Sequence, residues 1–429
     1  MTSLDPSPAT TPAAGAHSTG RKRVGRRPVL IAALLGTAGL AACGEDSSDS
    51  GAAPEQSPSD APSPAETTSE PAQEPTAAPS ETTAPDDPLA GWSLEEKVGQ
   101  LLMVGVDATT PSQASKDAVT AHHVGNVFLS GRSTAPASTI SRTVSAFTGL
   151  AESATRGTAM LVATDQEGGN VQVLSGSGFS SIPSGTEQAG QSREQLVASA
   201  TAWGQELASA GVTMNLAPVA DLVDIAGPTS NAPIGQWHRE YGHDAATVSS
   251  QARAFAEGMR AAGVTPVFKH FPGLGRVKEN TDTASGVTDS ATTRTGDPAV
   301  AIFGDAIAGG AEAIMVSSAY YPQIDAGAPA VFSSTIVTDM LRTEMGFTGV
   351  IITDDVSAAV QVQDWGAGER AVKAVSAGCD LVLASADASV AGDMATALVS
   401  AAQSDPALAA RIDESARRIL ALKSARQGG

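Results

Sequence analysis

The chain has 429 residues, 41% of them hydrophobic, enough to bury a sizeable core in one large domain or two ordinary ones. A formal net charge of -20 argues against a nucleic-acid partner, because phosphate binding depends on clustered Lys and Arg. Aromatics make up only 4%, so the core must be aliphatic, and two cysteines, Cys43 and Cys379, are too few for a disulfide framework or a zinc site.

Arg21, Lys22, Arg23, Arg26 and Arg27 stand just before an apolar run from Val29 to Ala42. A basic stretch followed by a short apolar one with small residues at its end reads as a secretory signal; a membrane span needs about 20 apolar residues. The end of this segment, Leu40-Ala41-Ala42-Cys43, resembles the lipobox of bacterial lipoproteins. That resemblance implies a signal over residues 1–43 and lipidation of Cys43. Arg26-Arg27 leaves twin-arginine export open beside the general route. Residues 44–88 are Ser, Pro, Thr, Ala and Glu with almost no large apolar side chain, so they cannot bury enough surface to offset ordering entropy. A disordered tether is expected there, kept extended by proline and reaching from the membrane towards a cell-wall layer. The expected location is extracytoplasmic, with a lipid anchor in the cell membrane.

From residue 89 to 429 short apolar runs alternate with longer amphipathic stretches. Eight runs can be counted, starting at Leu101, Gly125, Ala159, Val212, Val264, Ala313, Gly349 and Asp380. Such runs predict parallel strands buried on both faces, and eight of them close a (β/α)8 TIM barrel, an α/β fold. The intervening SREQLVASATAWGQELASAG and TVSSQARAFAEGMRAAG carry helical spacing and end on Gly. The final PALAARIDESARRILALKSA reads as one more helix, with no second domain expected beyond it. Cys379 fits a small buried thiol at a helix end.

Active sites of such barrels lie at the C-terminal ends of the strands. Four runs end in polar groups there: Thr164-Asp165-Gln166-Glu167, Asp221, Lys269-His270 and Thr353-Asp354-Asp355. Carboxylates converging with Lys, His and Arg make a pocket able to hold many hydroxyls, for which sugars are natural ligands. Retaining glycoside hydrolysis needs one carboxylate to attack the anomeric carbon and a second group to protonate the leaving oxygen. Spacing alone leaves aldolase, isomerase and metal-dependent chemistries open and does not say which Asp attacks. Asp355 could equally cap the next helix. His122, His123, His238 and His243 are scattered without metal-ligand spacing, so neither a metal nor another cofactor is expected. Trp237 and Trp365 fall in loops near the rim, where they could stack on a sugar ring or simply pack.

At KHFPGLG, Lys269 to Gly275, the sequence resembles glycoside hydrolase family 3, specifically its short bacterial β-N-acetylhexosaminidase branch. The likeness continues in WSLEEKVGQLLMVG from Trp92, TDQEGGNVQ from Thr164, NLAPVADL from Asn215, IGQWHREYG from Ile234, MVSSAYYP from Met315 and EMGFTGVIITDDVSAAV from Glu344. It implies a carbohydrate substrate, Asp354 as nucleophile in a covalent glycosyl intermediate, and sugar contacts from Asp165, Lys269, His270 and Arg239. A monomer is expected. In that branch an Asp-Ser-His segment supplies the acid/base, but here those positions read Asn280-Thr281-Asp282. The branch's usual His inside the KHFPG motif is Leu274, and its usual Arg after DQEGG is Asn170. One reading is an exo-glycosidase using Asp282, or the neighbouring Glu279, as acid/base. The other is a cell-surface lipoprotein that binds wall glycan without cleaving it. Transfer or phosphorolysis would share the covalent intermediate and change only the acceptor.

Overall fold

The computed structural model describes residues 87–427; the expected export signal, Cys43 and nearly all of the expected tether lie outside them. Eight parallel strands form the centre, numbered here β1 (Leu102–Asp107), β2 (Asn126–Ser130), β3 (Leu161–Thr164), β4 (Met214–Asn215), β5 (Thr265–Phe271), β6 (Ala313–Val316), β7 (Val350–Thr353) and β8 (Val382–Ala384). They lie in the order β7-β6-β5-β4-β3-β2-β1-β8, and a bridge from Ile352 to Leu381 joins the two ends into a barrel. All eight expected runs are strands, because side chains covered on both faces leave no alternation of apolar and polar residues.

Strand β4 is shorter than its apolar run, with regular pairing only over Met214–Asn215. Pro218, having no N–H to donate, interrupts the ladder. The chain nevertheless stays beside β5, with Ala220 N–H donating to the Lys269 carbonyl at 2.6 Å. That course delivers Asp221 to the rim.

The helices wrap the barrel where the amphipathic spacing predicts them. Ser192 caps the helix Arg193–Ser209 in a reciprocal box with Gln195, and Asp244 caps Ala245–Ala261. These two helices pack so closely that a Cβ on Gly258 would meet the Val197 carbonyl oxygen at 2.6 Å, which requires glycine. The last helix, Pro406–Gln427, packs under the barrel. Arg418 and Ser415 of that helix reach Asp380 at 2.9 and 2.8 Å, and Lys423 donates to the Gln100 side chain at 2.6 Å. The Cys379 thiol is fully buried. Among the described residues no helix is long and apolar enough to cross a membrane.

Candidate active site

A cavity of about 430 Å³ opens at the C-terminal ends of the strands, within the range of small-ligand sites. Asp165, Lys269, His270, Arg239, Asp282 and Asp354 all line it. They come from the ends of β3, β5 and β7 and from two loops, so side chains up to 189 positions apart share one cup. Leu216, Leu274 and Met315 supply apolar wall.

An ion network forms one side. Lys269, almost fully buried, reaches Asp165 and Glu167 at 2.6 Å each. Arg239 grips Glu167 with two parallel bonds of 2.8 and 2.7 Å, and its remaining arm donates to the Pro233 carbonyl at 2.7 Å. Burial works against ionisation of Glu167, but Arg239 and Lys269 overcome it and hold the carboxyl down at about 2. Burial likewise opposes the charge on Lys269, yet Asp165 and Glu167 raise its pKa. A stiff fork and a point charge fixed in this way present donors and acceptors to hydroxyls at set positions.

Asp354 lies half-buried at the end of β7 with one oxygen accepting from the Asp355 N–H at 2.9 Å. Burial raises its pKa, while His270 and that N–H oppose the rise. Asp355 has a different task. Its carboxylate accepts from the Ser357 hydroxyl at 2.7 Å, the Ala358 N–H at 2.8 Å and the Ser385 N–H at 2.7 Å. It thereby ties the connections after β7 and β8 together directly beneath Asp354, which is the cap-like role open in the sequence.

The loop after β5 runs across the cavity mouth. Arg276 anchors its start by pairing with Asp224 at 2.7 Å and Asp297 at 2.8 Å. Asn280 then makes a turn in which its side-chain oxygen accepts from the Asp282 N–H at 2.9 Å. This turn places Asp282, itself exposed, on the lining of the cavity. Burial, followed by the charges of Asp354 and Asp355, pushes the Asp282 carboxyl up to about 6. Glu279, three residues earlier, is exposed and lines a separate outer groove with Arg276 and Lys278. Trp237 is 44% exposed, and Trp365 packs edge-on against Phe332 with ring centroids 5.2 Å apart. Neither tryptophan lines the cavity.

Two residues matter more than their place in the sequence suggests. Glu167 joins Lys269 to Arg239, and Asp221 holds His270. Both stand in the rim clusters noted above, and their burial without an obvious partner nearby in sequence is the signal that marks them. Among the described residues no group of His, Cys, Asp and Glu is arranged to hold a metal ion.

Residues 93–422 match the glycosyl hydrolase family 3 N-terminal domain. A crystal structure of a β-N-acetylhexosaminidase from Beutenbergia cavernae is 54% identical, covers 77% of this chain and 98% of its own, and superposes with a TM-score of 0.76. A β-hexosaminidase of Stenotrophomonas maltophilia is 31% identical over 290 residues, which is 66% of this chain and 82% of that one. An uncharacterised secreted glycosyl hydrolase of Arthroderma benhamiae is 36% identical over 283 residues, 64% of this chain and 77% of that one. With the barrel, the rim cavity and these relatives in agreement, the chain belongs to glycoside hydrolase family 3 and is a hexosaminidase-like glycoside hydrolase.

Proposed function

We propose that this protein is a retaining exo-glycosidase that cleaves O-glycosidic bonds of a cell-wall or related glycan through a glycosyl ester on Asp354. The observation that carries the reading is that Asp354 and Asp282 line one cavity, where the neighbouring carboxylates favour the protonated form of Asp282. Asp354 attacks the anomeric carbon while the Asp282 carboxyl gives its proton to the departing oxygen. Asp282 then takes a proton from water as that water attacks the ester, which releases the sugar and restores both carboxyls. Asp165, Lys269, His270 and Arg239 hold the sugar hydroxyls. Glu279 has no part in this, since it faces the outer groove.

Export by the segment ending at Cys43, with lipidation of that cysteine, would place the barrel outside the cell membrane on a tether. A substrate in the wall layer is in keeping with that placement. No cofactor enters the reaction.

The test is hydrolysis of an aryl N-acetyl-β-glucosaminide by the wild type and by Asp354→Asn, with mass spectrometry of the peptide labelled by a 2-fluoro sugar. Loss of turnover by at least about 10³-fold, with the label on Asp354 in the wild type, is expected. Full activity in the variant overturns the proposal. Sugar binding by calorimetry without any turnover in the wild type would support the second reading, a glycan-binding lipoprotein, to which the absence of His from the loop after β5 gives some weight.

A further inference from the structure

Asp282 sits on a loop, and a general acid is useful only if its loop is held where the leaving oxygen will be. The middle of this loop is fastened to the connection after β7, the same connection that begins with Asp354. The Gln361 N–H donates to the Thr281 carbonyl at 3.0 Å, and the Val360 N–H donates to the Asp282 carbonyl at 3.2 Å. The Gln361 side chain then makes a reciprocal pair with a third point on the loop. Its oxygen accepts from the Val287 N–H at 3.0 Å, and its amide nitrogen donates to the Val287 carbonyl at 3.2 Å. Gln361 is only 3% exposed and Thr281 only 2%, so water cannot replace these bonds without opening the loop.

These contacts form a continuous path between the two carboxyls. Asp355 fixes the turn after Asp354 through the Ala358 and Ala359 N–H groups at 2.8 and 3.3 Å. Two residues later Gln361 grips both sides of the loop turn that carries Asp282. Resting on the acid/base role given to Asp282 above, we infer that Gln361 is a positioning residue that keeps the Asp282 loop closed, so that acid and nucleophile are assembled before substrate arrives. Gln361 does not line the cavity and touches no substrate.

Gln361→Met keeps the length and apolar volume of the side chain and removes both side-chain bonds. With the loop loosened, Asp282 would move away from Asp354 and Asp355 into water, and its pKa would fall towards that of an ordinary carboxyl. The variant should hydrolyse an unactivated disaccharide about 10- to 100-fold more slowly in kcat, with KM changed less. A dinitrophenyl glycoside, whose leaving group needs no proton, should be cleaved at nearly the wild-type rate. The alkaline limb of kcat/KM should move to lower pH, because the required protonated form is lost earlier. A uniform loss on both substrates with the limb unmoved would mean a merely structural residue and overturns the inference, as does no change at all.

Amide hydrogen exchange in the wild type provides a check that survives a poorly folding variant. The Gln361 and Val287 N–H groups should be as protected as the barrel strands, and free exchange at both positions overturns the lock. Asp282→Asn separates the two ideas. If that variant keeps full rate on the unactivated disaccharide, the acid/base assignment falls; if it loses rate while Gln361→Met does not, only the lock falls.

Discussion

Asp221 holds His270 at two points: one carboxylate oxygen accepts from the His270 backbone N–H at 3.0 Å, and the other meets ring Nδ1 at 2.7 Å. A carboxylate can only accept, so Nδ1 carries the proton and Nε2 is left for the cavity. The Leu274 N–H donates to the same carboxylate at 2.7 Å, which fixes the KHFPG turn as well as the ring. Asp221→Ala should therefore harm both folding and function. Removing one partner of so buried a pair should cost about 3 kcal/mol in urea unfolding. Asp221→Asn keeps the volume but turns an acceptor into a donor facing N–H groups. Its kcat/KM should fall by about 100-fold through a misplaced ring. Wild-type kinetics in Asp221→Asn would show that His270 needs no such support.

The raised pKa of Asp282 makes two measurements fall together as pH rises. In its proposed role as general acid it must be protonated, so kcat/KM should fall as pH rises through about 6, and Asp282→Asn should lack that limb. For stability, a carboxyl whose folded pKa exceeds its unfolded value contributes fully below the unfolded value. That contribution is lost as pH rises through the folded value, here between about 4 and 6. Asp282→Asn avoids ionising a carboxyl beside Asp354 and Asp355. Its thermal midpoint should exceed that of the wild type at pH 7 and match it at pH 4. Equal midpoints at both values would show that the surrounding carboxylates do not strain Asp282.

The barrel is legible in the sequence because strands buried on both faces have one texture, and the helices because their caps and terminal glycines are local. Rim positions follow from that frame, so Asp165, Lys269, His270 and Asp354 could be placed in one cup. What the sequence does not encode locally is who holds whom. Glu167 meets Arg239 across 72 positions and Lys269 across 102, and neither spacing signals contact. The choice between Glu279 and Asp282 turns on a single Asn280 turn, whose direction depends on the loop's anchors at Arg276 and Gln361. Strand β4 ends early because Pro218 breaks its ladder, although its apolar run continues.

The charge balance of the cavity narrows the sugars it can accept. Lys269 is engaged by Asp165 and Glu167 and Arg239 by Glu167, so each of these cations already has a carboxylate partner. Asp354 adds negative charge with no cation bonded to it, and Asp282 does the same above about pH 6. A substrate carboxylate, as in a lactyl ether or a uronic acid, would enter a site offering repulsion in place of an ion pair. Like-charge contacts in an enclosed site can cost several kcal/mol. A neutral β-linked N-acetylglucosaminyl disaccharide should therefore exceed its carboxylated counterpart in kcat/KM by at least tenfold, about 1.4 kcal/mol. Glu167→Gln removes one negative charge and leaves Lys269 and Arg239 less fully paired. It should shrink the ratio even as total activity falls, and that change of preference cannot come from loss of folded enzyme alone. Equal rates on the two disaccharides in the wild type, or a ratio unmoved in Glu167→Gln, would show that these ion pairs do not govern selectivity.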